Sequence, residues 1–140
     1  MKDTIRICRD EIRKEQIRKA IEQGGNHIVK IAEPIGECLG KGLRYNDRLT
    51  TSQIRNIFTI AKKMQMKGAE EIEWEEFILL KPKIAYMTKK ASSNLGARIL
   101  GDILVEAVDA AYQGRETHYF KNFMDFFEAI LAYHVSYGGK

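Results

Sequence analysis

The chain is 140 residues long, 44% hydrophobic and 30% charged, with 11 glycines and two prolines. This length suits one domain with its own core, and the low proline content with evenly scattered apolar residues favours an all-α class. The apolar runs fall far short of the roughly 18 residues that a membrane span requires, and the charged N-terminus does not resemble a signal peptide. We therefore expect a single helical domain over residues 1–140, located in the cytoplasm.

Positive charge is concentrated in the first half of the chain. Residues 1–68 contain 15 Lys and Arg against 8 Asp and Glu, whereas residues 69–140 contain 8 against 11. Residues 41–67 carry a single acidic side chain, and residues 77–101 carry none. Such segments indicate either a polyanionic partner or ordinary solvated helix faces.

The N-terminal residues carry a thin stripe of isoleucines that predicts a helix over residues 8–23, ended by two glycines. Cys8 and Cys38 lack metal-site spacing, and an intracellular chain usually keeps its cysteines reduced. We therefore expect two free thiols that are buried as small hydrophobic side chains. Residues 1–25 either pack on their own bundle or form a mobile or exchanged element between two chains. For the free protein we favour a homodimer.

The second predicted helix starts at Asn26, which is a good N-cap residue. Pro34 is expected to kink or split this helix. The glycine-rich residues 36–48 read as a flexible linker. The apolar positions predicted to be buried along this helix are Ile28, Ile31, Ala32, Ile35 and Leu39.

The stretch LTTSQIRN, residues 49–56, predicts a helix start with a capping box between Thr50 and Gln53. The helix should run to about residue 67, with one core face and one basic face. The core face comprises Ile54, Ile57, Phe58, Ala61 and Met64, and the basic face comprises Arg55, Thr59, Lys62, Lys63 and Lys67. Arg44, Arg48 and Arg55 bracket the helix start, which either binds an anion or is satisfied by its own cap.

The second half of the sequence predicts further helices. Helices should flank Pro82, with a break near residues 80–81, and Asn94 should cap the next helix. Its predicted core stripe is Leu95, Ile99, Leu100, Ile103, Leu104, Ala107, Val108 and Ala111. Thr117 opens an aromatic-rich last helix whose wide apolar arc suits the centre of a bundle. We therefore expect a small bundle of about five to six helices.

Motifs for catalysis are missing from the sequence. It contains no phosphate-binding glycine loop, zinc-protease motif or nucleophile elbow. His134 falls in the apolar arc of the last helix and is expected to be a hydrogen-bonded core residue, whereas His27 and His118 are expected at the surface. The acidic residues Glu70, Glu71, Glu73, Glu75 and Glu76 fit a solvated helix start better than a metal site. We expect no enzyme activity, cofactor or metal.

Three ordered stretches carry a family resemblance: LTTSQIRNIF (49–58), FILLKPKIAYMTKK (77–90) and NFMDFFEAILAYHVSYGG (122–139). Residues 40–140 resemble the small subunit of the type III-A CRISPR-Cas effector, the Csm complex of antiviral defence. The resemblance implies a non-catalytic helical bundle that contacts target RNA paired to the CRISPR RNA guide, and also neighbouring subunits.

On this resemblance, RNA-contacting residues are expected on the LTTSQIR helix and after the LLKPK break. The candidates are Arg44, Arg48, Arg55, Lys62, Lys63, Lys81, Lys83, Lys89, Lys90 and Arg98. One alternative is a helix-turn-helix DNA-binding protein whose recognition helix starts at Thr51. Another is a purely structural module for protein–protein interaction.

Overall fold

The fold is a helical bundle preceded by one short β-hairpin. The computed structural model describes residues 3–66, 72–90 and 93–139. The strands are β1 (Thr4–Ile7) and β2 (Asp10–Arg13), and a 3-10 helix spans Tyr45–Asp47. The helices are α1 (Lys14–Gln23), α2 (Asn26–Leu39), α3 (Thr51–Met66), α4 (Trp74–Phe77), α5 (Leu80–Lys89), α6 (Leu95–Gly114) and α7 (Thr117–Ser136). The predicted all-α class and small helical bundle are confirmed.

The hairpin corrects the helix that the sequence predicts over residues 8–23. Strands β1 and β2 are antiparallel, with Ile5 opposite Ile12 and Ile7 opposite Asp10. Ile5 and Ile7 are both buried, as expected for alternate residues on one face of a strand. Since so short a run shows both a period of two and part of a helical stripe, the prediction chose the wrong period. The helix begins at Lys14 instead.

The two cysteines form a disulfide bond, which corrects the expectation of reduced thiols. Cys8 lies in the turn of the hairpin and Cys38 lies near the end of α2, with their Cα atoms 5.7 Å apart. The expectation was wrong because it relied on the expected intracellular location, whereas the hairpin turn brings Cys8 next to Cys38. The bond attaches the hairpin turn to the bundle.

Helix α2 is continuous through Pro34 and ends at Leu39. Its predicted apolar positions are all buried. Residues 36–39 therefore belong to the helix and not to the linker predicted over residues 36–48. Gly36 allows α2 to pack closely on α7, because a Cβ at this position would overlap the Cβ of Tyr133. Asn26 is the first helical residue, and the cap position is Gly25.

Helix α7 is the central helix of the bundle, as the width of its apolar arc predicts. It packs against α1, α2, α3 and α6. Its phenylalanine rings meet neighbouring rings edge to face, with centroids 5.1 Å apart for Phe58–Phe127 and 5.4 Å apart for Phe77–Phe123. Such aromatic contacts add to the burial of the rings themselves. Both α3 and the segment leading into α5 are thus attached to α7.

The segment around Pro82 and helix α6 follow the predicted outline. The break between helices falls at residues 78–79, just before the predicted position. Pro82 lies in the first turn of α5, where a backbone N–H would have no acceptor within the helix, so the missing N–H of proline is tolerated. The core stripe of α6 is buried except for Leu95, which is 46% exposed. Helix α1 packs on α6 and α7 of the same chain. Within the described ranges, no helix has both the length and the apolar character that crossing a membrane requires.

Candidate nucleic-acid interface

The start of α3 is held by reciprocal hydrogen bonds between Thr50 and Gln53. The Gln53 backbone N–H donates to Thr50 Oγ1 at 3.0 Å, and the Thr50 N–H donates to Gln53 Oε1 at 2.8 Å. This is the capping box that the sequence predicts. Because the cap uses side chains of the helix itself, two donors at this terminus are satisfied without a bound anion.

Asn94 connects the start of α3 to the start of α6. Its Oδ1 accepts a hydrogen bond from the Ala97 N–H at 2.8 Å, which confirms the predicted cap of α6. Its Nδ2 donates to the Arg48 carbonyl at 2.9 Å and to Gln53 Oε1 at 3.0 Å. The sequence gives no signal for these last two bonds, since the partners lie 46 and 41 residues away.

His134 supports the same helix start from α7. Its side chain is fully buried, and Nε2 lies 2.7 Å from the Leu49 carbonyl oxygen. Because a carbonyl only accepts, Nε2 carries the proton of the neutral ring, and Nδ1 has no hydrogen-bond partner among the described residues. Burial lowers the pKa of His134, although the bond to Leu49 opposes this shift. The predicted hydrogen-bonded core histidine is confirmed.

Helix α3 separates a buried face from a basic face, as its periodicity predicts. Ile54 and Ile57 are buried, and Phe58 packs against α7. The exposed face carries Arg55, Lys62 and Lys63, for which we use the name α3 basic face. None of these three cations forms an ion pair within residues 3–66, 72–90 and 93–139. Lys62 lies over its neighbour Phe58, with Nζ 6.0 Å from the ring centroid.

A cleft between α3 and α5 brings the two basic segments together. Lys63 from α3 and Lys83 from α5 both line it, together with Ile60, Met64 and Glu76. Lys83 and Lys90 are exposed and have no ion-pair partner among the described residues. The cleft therefore extends the α3 basic face onto α5 at Lys83.

Two other lysines of α5 form ion pairs with carboxylates of α6. Lys81 Nζ lies 2.8 Å from Asp109 Oδ1, and Lys89 forms an ion pair with Asp102. Both carboxylates belong to α6, so these pairs connect the two helices along their length. Lys81 and Lys89 are therefore less available to an external anion than Lys83 and Lys90, because a carboxylate already neutralises each of them.

The three remaining arginine candidates lie in different surroundings. Arg48 is half-buried, donates from Nε to the Leu43 carbonyl at 2.8 Å and lies over the Tyr45 ring. Arg44 is exposed immediately before the 3-10 helix. Arg98 lines another cleft, which α6 forms with the hairpin and the start of α1. The ten candidates thus do not form one surface, and Arg98 lies apart from the cleft between α3 and α5.

The other shifted titratable groups belong to separate local pairs. A hydrogen bond to Glu75 raises the pKa of Tyr112, and a hydrogen bond to Asp125 raises the pKa of Lys121. A hydrogen bond to Glu33 raises the pKa of Tyr137 to about 12.

His118 is exposed and His27 is half-exposed. In the described part of the chain, no group of three or more His, Cys, Asp or Glu residues is placed to hold a metal ion. Glu70 and Glu71 lie outside the described residues.

Comparison with protein families gives a match over most of the chain. The family model described as Csm2 Type III-A matches residues 22–140, from the end of α1 to the end of the chain. No curated protein and no solved structure matches this sequence. The match includes α3, α5 and the cleft between them but not the hairpin. With most of its length matched, the chain belongs to the Csm2 Type III-A family of small subunits of the type III-A CRISPR-Cas effector, the Csm complex.

Proposed function

We propose that this Csm subunit is non-catalytic and contacts the backbone of the target RNA paired to the CRISPR RNA guide through the α3 basic face. The observation that carries this proposal is the set of three exposed cations on one rigidly held helix, none of them in an ion pair among the described residues. Lys83 extends the contact across the cleft to α5. The protein also contacts neighbouring subunits of the Csm complex.

Phosphate contact suits this surface better than base reading does. Lysine and arginine side chains on a helix neutralise phosphates whatever the sequence, and each contact releases bound counterions. Reading of base edges requires side chains inserted into a groove. The cations of the α3 basic face are exposed on one side of the helix, so they suit an RNA backbone that passes along it.

A non-catalytic role agrees with the position of the titratable side chains. His134 is enclosed in the core with its Nε2 bonded to Leu49. The shifted groups Tyr112, Lys121 and Tyr137 each have their own carboxylate partner and lie in separate places. No reaction needs to be assigned to this chain.

The α3 basic face is tested by salt-dependent RNA binding of the reconstituted Csm complex. We expect the triple variant Arg55→Gln, Lys62→Gln, Lys63→Gln to bind target RNA more weakly. The slope of log affinity against log salt concentration should also fall, by about 0.7 to 0.9 for each phosphate that the variant no longer neutralises. The matched control is Arg9→Gln, Lys30→Gln, Arg115→Gln, which removes the same charge from exposed positions outside α3 that form no ion pair among the described residues. Equal slopes for the two triple variants would remove the α3 basic face from the proposal.

A helix-turn-helix function finds no support in the connection before α3. That motif joins its two helices by a turn of three to four residues. Here residues 40–50 separate α2 from α3 and include a 3-10 helix. Sequence-selective binding of duplex DNA in preference to RNA would contradict the proposal.

A purely structural role makes a different prediction for the same face. If α3 only joins subunits, crosslinks from Arg55 in the reconstituted complex should reach protein and not RNA. We also propose that the free protein is a homodimer, which light scattering over a range of concentrations tests. A constant monomer mass would contradict that part of the proposal.

A further inference from the structure

The outer face of α5 presents an exposed tyrosine between two lysines. Lys83 and Tyr86 lie three residues apart on one side of α5. The cap residues Leu79 and Lys90 continue this series at the two ends of the helix, each four residues further along the chain. All four are exposed, Tyr86 by 71% and Leu79 by 51%. We use the name outer stripe for these four residues. The opposite side of the helix is buried through Leu80, Ile84 and Thr88.

Tyr86 differs from the other tyrosines by having an open ring. Tyr112 and Tyr137 donate hydrogen bonds to carboxylates, and the Tyr45 ring lies beneath Arg48. Tyr86 makes no hydrogen bond and no ring contact within the described residues. Its ring is therefore accessible, although a single exposed apolar side chain needs no special explanation. The two lysines beside it on the outer stripe are the reason to consider the ring as a binding site.

The charges around Tyr86 favour an anionic partner. Lys83 precedes it by one helical turn and Lys90 follows it by one turn, about 5 Å away along the axis on either side. No carboxylate lies on the outer stripe, and neither lysine is in an ion pair among the described residues. Lys83 also lines the cleft that Lys63 enters from α3. The outer stripe thus continues from the α3 basic face.

We propose that Tyr86 stacks on an unpaired RNA base while Lys83 and Lys90 contact the phosphates on either side of it. This inference rests on the proposed RNA contact and specifies the nucleotide that the surface takes. Aromatic side chains bind unstacked bases through their faces, and lysines hold the backbone without reading sequence. Inside a continuous duplex the base faces are covered by their neighbours, so the occupant is an unpaired nucleotide.

Crosslinking in the reconstituted Csm complex tests this placement. The probe is target RNA that carries 4-thiouridine at one position at a time, covering paired and unpaired nucleotides. Trypsin would release residues 84–89, in which Tyr86 is the one aromatic residue. We expect this peptide to crosslink to unpaired positions. Crosslinks from α3 with none from residues 84–89 would overturn the stacking site and leave the RNA contact standing. Crosslinks to protein alone would overturn both.

An affinity series separates stacking from general contact. We expect Tyr86→Ala to weaken binding of RNA by about fivefold to 100-fold, and Tyr86→Phe to retain binding because it keeps the ring. With an abasic nucleotide at the crosslinked position, Tyr86→Ala should cause no further loss, because the two changes remove the same interaction. Val29→Ala, an exposed apolar residue on α2, is the control. An equal loss for Tyr86→Ala on normal and abasic RNA would overturn the proposal.

Discussion

Helices α3 and α5 are both amphipathic and lysine-rich, yet their lysines have different surroundings. Each helix is attached to α7 through phenylalanine, α3 by Phe58 and the segment before α5 by Phe77. The cations of α3 have no carboxylate partner among the described residues, whereas Lys81 and Lys89 of α5 pair with α6. A count of basic residues therefore does not identify the lysines that are available to bind RNA. Their availability depends on whether the neighbouring helix supplies a carboxylate partner.

The difference follows from what each helix packs against. Helix α5 packs on α6, where Gly101 permits close approach because a Cβ there would overlap Thr88 Oγ1. The adjacent Asp102 is thereby brought to Lys89. Helix α3 packs mainly on α7 and is held at its start by Asn94 and His134. Among the described residues, no carboxylate consequently forms an ion pair with its basic face.

The largest expected effect tests how the two helices are attached to α7. Phe77 is fully buried and its ring meets those of Trp74, Phe120 and Phe123. Phe77→Ala should lower the free energy of unfolding by about 3–5 kcal/mol. Phe58→Ala should cost less, about 2 kcal/mol, because Phe58 is only half-buried. Urea denaturation measures both, and Leu79→Ala is the exposed control. Equal losses for the two phenylalanines would contradict this asymmetry.

The next effect concerns the link between α3 and α6. Asn94→Ala should lower the free energy of unfolding by about 2–3 kcal/mol, since it removes a helix cap and two further hydrogen bonds. Asn94→Ser should cost only about 1–2 kcal/mol, because serine also caps helices but is too short to replace both bonds to α3. Hydrogen exchange at the Ile54 amide should accelerate in both variants. Unchanged exchange would show that Asn94 does not support α3.

The sequence predicts local features better than it predicts pairing across the chain. The capping box, the two faces of α3 and the Asn94 cap arise from residues within a few positions of each other, so they could be read directly. The disulfide and the bonds of Asn94 to α3 join distant residues, and no local pattern encodes them. The hairpin was missed because four-residue strands provide too few alternations to exclude a helix. At the candidate interface, no local sequence pattern predicts the ion pairs of Lys81 and Lys89 with α6.

Acid should weaken the support of α3 by His134. Burial lowers the pKa of this histidine in the folded protein, so the unfolded chain takes up the proton first as the pH falls. The stabilising contribution is complete above about pH 6.5 and is lost as the pH falls from there towards the folded-state pKa. Urea denaturation between pH 7.5 and about pH 5 should therefore show a steeper decline for the wild type than for His134→Gln. Parallel profiles for the two proteins would contradict a role of His134 in the decline.

The smallest expected effect distinguishes the lysines that pair with α6 from the lysines that have no ion-pair partner among the described residues. Lys81→Ala and Lys89→Ala should each lower the free energy of unfolding by about 0.2–1 kcal/mol, because each removes a partly exposed ion pair with α6. Lys63→Ala and Lys83→Ala should leave it nearly unchanged, since alanine is at least as favourable in an exposed helix. RNA binding by the reconstituted complex should show the reverse order, with larger losses for Lys63 and Lys83. If Lys81→Ala weakened RNA binding as much as Lys83→Ala, the ion pair with Asp109 would have to open when RNA binds.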